Sequence, residues 1–547
     1  MKTGILVLSA FSLTVLAGCG FGSKADKLPL EKKVRLIFTE NCHRCHGEGG
    51  SPDADFYVLD HESLLASSIV PGKPEESRLF RKVKGGEMPL NGEPLSSGDQ
   101  ETVRQWIAAG APDFNIPTAK RNCITPKLIL ELLQTDLKQL SADDRPFARY
   151  FSIAHLYNAE LNDDRLETYR GALSRLLNSL SWQPKIVPPR PIDPSRTLFR
   201  IDLRHYRWNA GIWETIMAAN PYGVMYGTPA EKFCTAATLS AMPLVRGDWF
   251  LFAASRPPLY HDILQLPKLD LDLEAALQVN VFESIRTNSV ARAGITDSQA
   301  SEHNRIIERH QSPLTRGAYW KTYDFASDDG LKSVKSHPHG PRGHAANAFD
   351  HDGGEIAFDL PNGLHAYMLV DAQGNRIDSP LVGTRRDQNG RDVVNGVSCM
   401  SCHSSGIILA DDSVRQMVEA SPNSFTRPEV DLVLALYPRQ EKFAELQKKD
   451  AERFANAVIQ SGARLADEDP VATLAPHYEA DLSLKLAAAE AGLPLEEFLA
   501  SWEKSPILIR DLGLTNVVGQ TVPRELFLKT FGAIVLELEL GSPSQPK

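Results

Sequence analysis

The pattern Cys-x-x-Cys-His occurs twice in this chain, as Cys42-His43-Arg44-Cys45-His46 and as Cys399-Met400-Ser401-Cys402-His403. Two thiols one helical turn apart can each form a thioether with a haem vinyl group, and the adjoining imidazole then lies under the iron as its proximal ligand. With 7 Cys and 15 His in 547 residues, chance supplies about 0.002 copies of the pattern. Neither pair has the βαβ context of a redox Cys-x-x-Cys or a second ligand pair at zinc-finger spacing. Each copy therefore reads as a covalent haem attachment site. The expected cofactors are two c-type haems, held by Cys42 and Cys45 and by Cys399 and Cys402, with His46 and His403 on the irons.

The N-terminus fits that chemistry. Lys2 precedes an apolar run from Ile5 to Leu16, which ends in Leu16-Ala17-Gly18-Cys19. The run is short for a membrane span and closes on small residues, so it reads as a secretory signal. The tetrapeptide resembles a bacterial lipobox. That resemblance implies cleavage before Cys19, lipid on its sulfur, and a folded part held at a membrane while it stays in water. The next residue is Gly20, not Asp, which implies the outer membrane, and haem attachment of this kind belongs on the periplasmic side. An ordinary signal peptide cleaved nearby is the other reading of the same segment.

Formal charge is −10, from 59 basic and 69 acidic residues, an acidic balance that argues against a nucleic-acid partner. No second apolar run is long enough for a membrane helix, and the chain length implies two to four domains. Of the 7 Cys, the lipid site and the two motifs leave Cys123 and Cys234. A disulfide and a pair of buried thiols are both open to them.

The first haem region can be followed almost end to end. A helical stretch from Leu30 to Thr39 leads into Cys42, and Lys84-Gly85-Gly86-Glu87-Met88-Pro89-Leu90 sets Met88 in a Gly- and Pro-rich loop. A soft thioether opposite imidazole is the usual axial pair of cytochromes c and raises the potential. Ser97-Gly98-Asp99-Gln100 reads as a capping box before a helix with Val103, Trp106 and Ile107 on its apolar face, and Gly110 and Pro112 close it. Residues Leu30 to Asp113 resemble the class I c-type cytochrome domain. The resemblance implies thioethers at Cys42 and Cys45, His46 as proximal ligand and Met88 as distal ligand. His61 reads as a surface loop histidine.

Beyond this domain, Thr125-Pro126 opens a helix with Leu128, Leu132 and Leu133 on one side. Phe147, Tyr150, Phe151 and Leu156 suggest a second helix, and Leu198 to Leu203 a strand. The second haem region contains a hairpin, with Ile356, Phe358 and Leu360 alternating before Pro361-Asn362-Gly363 turns the chain into Leu364–Val370. This half, through "NRIIERH", "HDGGEIAFDLPNGL" and "NGVSCMSCHSSG", resembles large secreted dihaem cytochromes of environmental bacteria, including planctomycete-type sequences. It does not resemble the dihaem peroxidases, whose haems lie in two similar small domains. For the second iron, His337 in a Pro- and Gly-bounded loop and Met417 on a helix past the motif are the distal candidates, and an open sixth position is the third option. Arg309 and His310 read as a salt-bridged helix end.

The expected fold is mainly α with some β: a small all-α cytochrome c domain, then a larger α+β haem-bearing region. The expected segments are a signal peptide (1–18), a linker (19–29), the cytochrome c domain (30–115), an α-rich domain with some β (123–330), the second haem region (331–540) and a tail (541–547). Periplasmic or membrane redox partners follow from this reading, and electron transfer is its leading function. A haem-dependent, peroxidase-like oxidoreductase, in which the first haem feeds a catalytic second haem, is the alternative.

Overall fold

The computed structural model describes residues 29–46, 58–59, 61–89, 94–114, 121–295, 304–325, 327, 332, 350–380, 392–465, 468–506, 509–510 and 521–543. The expected signal peptide, Cys19 and His337 lie outside these residues. The chain divides into two compact units, residues 1–116 and 117–547.

The first unit is helical: α1 (Leu30–Asn41), α2 (His43–His46), α3 (His61–Ser67), α4 (Arg78–Lys84) and α5 (Ser97–Ala108). Helix α1 buries Val34, Ile37 and Phe38, the three- and four-residue steps that give one apolar face. It packs on α5, which buries Val103, Trp106 and Ile107. The α5 cap is Ser96, one residue before the expected box, and its Oγ accepts from Asp99 N at 3.1 Å. Phe38 and Trp106 meet edge to face at 5.8 Å, and the indole Nε1 of Trp106 donates to the Pro112 carbonyl at 2.8 Å. His61 is not a surface loop residue. It starts α3, its Nε2 lies 2.8 Å from the Ala111 carbonyl, and its ring packs edge-on against Phe114.

The second unit opens with α6 (Pro126–Gln139), capped by Thr125. Its buried stripe is Leu130, Leu133 and Leu137; Leu128, expected inside, is exposed. Residues Ala148–Ser152, expected to be helical, form strand β1, buried at every position. A strand buried on both faces has no alternation to mark it, and its apolar run looks like that of a buried helix. Helices α7 (Ala154–Asn158) and α8 (Asp163–Ser179) follow, then β2 (Arg190–Pro191), β3 (Leu198–Asp202), β4 (Val224–Met225) and β5 (Leu244–Arg246). One sheet has the order β2-β3-β1-β5.

A six-stranded antiparallel meander carries the second motif's surroundings: β6 (Ala291–Ile295), β7 (Arg305–Gln311), β8 (Ala318–Asp324), β9 (Gly353–Asp359), β10 (His365–Asp371) and β11 (Arg376–Ile377). Strands on both sides of residue 330 are hydrogen-bonded in this one sheet, so the boundary expected there falls inside it. Arg309 and His310 stand on a strand, not at a helix end. The register pairs Arg309 with Trp320, Trp320 with Ala357, and Ala357 with Tyr367, which puts these four on one face. Glu308, Lys321, Ile356 and Met368 take the other.

Buried charges tie both faces down. On the first face, Asp450 of the helix Gln440–Gln460 accepts from Arg309 at 2.7 and 3.0 Å and from Trp320 Nε1 at 3.1 Å. On the second, Lys321 reaches Asp270 at 2.7 Å and Glu274 at 2.8 Å. Removing one member would strand a buried charge, a loss of about 3–5 kcal/mol.

Candidate haem sites

In the first unit, Cys42 caps α1, its N–H donating to the Phe38 carbonyl at 3.0 Å, and His46 N donates to the Cys42 carbonyl at 2.9 Å. The side chain of Cys45 lies outside the described residues. Met88 follows α4 through Gly85 and Gly86, and its N–H donates to the Lys82 carbonyl at 3.2 Å. Gly86 has φ +70°, and a Cβ added there would meet only open space, so backbone conformation alone calls for glycine. Cys42 and Met88 both pack against the apolar cluster that the described residues of this unit form around Phe38 and Trp106. The unit thus brings a motif thiol and the thioether candidate to one core.

In the second unit, the motif forms the helix Val397–Cys402. Its N-cap, Gly396, has φ +90°, and a Cβ there would sit 2.4 Å from the Ser255 carbonyl oxygen. Cys399 is buried, its thiol 3.8 Å from Asn395 Oδ1, and burial pushes its pKa up. Cys402 is half-buried, one helical turn on. His403 Nδ1 lies 3.0 Å from the Gly406 carbonyl. A carbonyl can only accept, so Nδ1 carries the proton and the lone pair is left on Nε2. The imidazole stacks on Tyr367 of β10, centroids 5.6 Å apart at 22°. Burial lowers the pKa of His403, against the raising effect of Glu355, which favours the neutral ring that binds a metal.

A groove of about 540 Å³ opens beside the motif, lined by Cys402, Gly406 and Ile408 and, from the helix Gln440–Gln460, by Lys448 and Glu452. Two thiols one turn apart, neither of them in a disulfide, an imidazole with Nε2 available and an adjoining groove form a donor set that fits a covalently held haem.

The two distal candidates fare differently. His337 is outside the described residues. Met417 packs against the apolar cluster that holds Ile306, Tyr323 and Val414. Ile306 and Tyr323 are paired in register on the same face as Glu308 and Lys321. His403 stacks on Tyr367, on the opposite face, so the sheet stands between Met417 and His403 and the structure does not bring them together. His365 is buried on the His403 side, 3.1 Å from Asp359 and against Phe454. Sequence reasoning missed Tyr367, Asn395 and Gly406; of these only the glycine three residues past the motif gave a signal. Cys123 and Cys234 are free thiols, and the Cys234 thiol is pushed up to about 11, by burial first.

A family model described as Planctomycete cytochrome C matches residues 42–90. No curated protein and no solved structure matches the chain. Helices, motif and match together make the first unit a c-type cytochrome-like domain, a class that carries covalently bound c-type haem. The fold as a whole is mixed α and β.

Proposed function

We propose that this protein is a dihaem c-type cytochrome, lipid-anchored at Cys19 on the periplasmic side of the envelope, that passes electrons between redox partners. The first haem would be held by Cys42, Cys45 and His46, with Met88 as sixth ligand; the second by Cys399, Cys402 and His403. One observation carries the second site: His403 Nδ1 is engaged by the Gly406 carbonyl. Metal-bound histidines have this arrangement, the far nitrogen fixed so that the near one points steadily at the metal. When bound, haem supplies one-electron chemistry at iron. The chain's own part is to hold the imidazole in one tautomer, bury Cys399, and cover the ring with Tyr367.

The experiment is intact-mass and optical spectroscopy of the purified chain. Two covalent haems are expected, one lost in Cys399→Ala/Cys402→Ala with the spectrum of the other unchanged. A single haem in the native protein refutes the dihaem reading. An oxidoreductase with an open second iron is favoured by one observation: Met417, the distal candidate among the described residues, packs against a cluster on the sheet face opposite His403. Rapid cyanide or carbon monoxide binding at one haem, with peroxide turnover, would decide for it.

A further inference from the structure

Away from both motifs, the second unit holds a cavity of about 120 Å³. Its apolar walls come from four elements: Leu130 and Leu133 from α6, Cys234 from the helix Pro229–Thr238, Val245 from β5, and Phe531 from the helix Arg524–Glu537. All five residues are buried. Left empty, such walls forgo the dispersion contacts that an occupant would restore.

The charged and amide groups of the lining are spent on the protein itself. Arg524 donates to both oxygens of Glu490 at 2.8 Å, and Arg246 and Tyr222 donate to its Oε2 at 2.8 and 2.9 Å. Glu231 accepts the backbone N–H groups of Tyr226 and Gly227 at 3.1 and 2.6 Å. The Asn158 amide closes on the Ile124 backbone at both ends, at 2.9 and 3.0 Å. The Asn220 amide accepts from Tyr222 N at 3.2 Å and donates to Met242 Sδ at 3.5 Å. His155 faces Asp248, 2.9 Å away.

This engagement selects the occupant. His155, Asp248 and Glu490 stand close enough together to hold a metal ion, but two guanidinium groups on the same glutamate oppose a divalent cation. A charged organic guest would lose its hydration and find each opposite charge already paired. Water would find few of the polar partners that keep it in a buried site. A hydrocarbon asks for none of these. An engineered apolar cavity of roughly 150 Å³ stays dry and takes up benzene, and the space here is of that order.

We infer that this cavity is a binding site for a small uncharged hydrocarbon, a molecule of single-ring size held by contact with the apolar walls between α6, the helix Pro229–Thr238 and β5. It shares no lining residue with the groove beside the second motif, so the site stands or falls apart from the dihaem reading.

The test titrates the full haem-loaded chain with benzene and with benzoate, which share the ring and differ in charge, read by calorimetry. Benzene is expected to bind with a Kd of about 1 mM or tighter, and benzoate at least about tenfold more weakly. Leu133→Trp fills the cavity from the helix side and Val245→Phe from the strand, and each should abolish benzene binding. The inference is overturned by benzene binding that survives either folded filling variant, by equal affinity for benzene and benzoate, or by no benzene binding up to its solubility in water. Should both variants fail to fold, the native benzene and benzoate affinities decide alone.

Discussion

Replacing Gly406 with alanine tests whether the loop after the second motif is built to aim His403. Gly406 has φ +104°, and a Cβ there would lie 3.2 Å from Ala451 Cα and 3.3 Å from Phe454 Cδ1, both on the helix Gln440–Gln460. The left-handed backbone alone costs a residue with a Cβ about 1–2 kcal/mol. The contact is with helix backbone, which cannot swing aside, so overpacking adds about 1–3 kcal/mol. Gly462 supplies the control: its φ is +83° with nothing within 4 Å of the added carbon. Gly462→Ala should show the backbone cost alone, and Gly406→Ala a further 1–3 kcal/mol or so, in urea unfolding at unchanged slope. The Gly406 carbonyl also accepts from His403 Nδ1. Displacing it should loosen the imidazole, speeding exogenous imidazole or cyanide exchange at one haem about 10–100-fold in Gly406→Ala only. Equal stabilities for the two variants, with identical exchange rates, would refute the reasoning.

Met88→Ala should leave the first haem covalently attached but high-spin or ligand-exchangeable, with a lowered potential; an unchanged ferric spectrum clears Met88 of the role. Cys19→Ser should move the protein from membranes to the soluble or unprocessed fraction, and native protein found fully soluble without detergent removes the lipid anchor. Acid should weaken the second unit through His261. Asn395 Nδ2 lies 2.7 Å from His261 Nε2, a nitrogen that must then accept, and burial, with Arg376, lowers its pKa from 6.5 to about 4. A depressed folded-state pKa means that the unfolded chain takes up the proton first. This stability, about 3 kcal/mol, is therefore full above pH 6.5 and lost as pH falls toward about 4. His261→Gln should flatten that acid limb, and a variant that keeps it intact assigns the loss elsewhere.

What could be read from the sequence was what local chemistry determines. The motif spacing, the α5 apolar face and the turn at Pro361-Asn362-Gly363 each involve residues within a turn or two of one another, and each has its expected form. Met417 shows where such reading stops. Its distance along the chain from His403 suits a helix folding back over the iron, yet which face of a six-stranded sheet it covers is set by pairings between strands far apart in sequence. The boundary expected near residue 330 failed for the same reason, because β8 and β9 pair across it and a chain-order reading has no signal for that. β1 was lost differently: Tyr150, Phe151 and Ile153 are all fully buried, and a run without a polar face offers no period to choose between helix and strand. The His155–Asp248 pair combines both limits. Each residue is ordinary where it stands in the sequence, and only the packing of α7 against the start of the helix Gly247–Ala254 sets these two buried ionisable groups 2.9 Å apart.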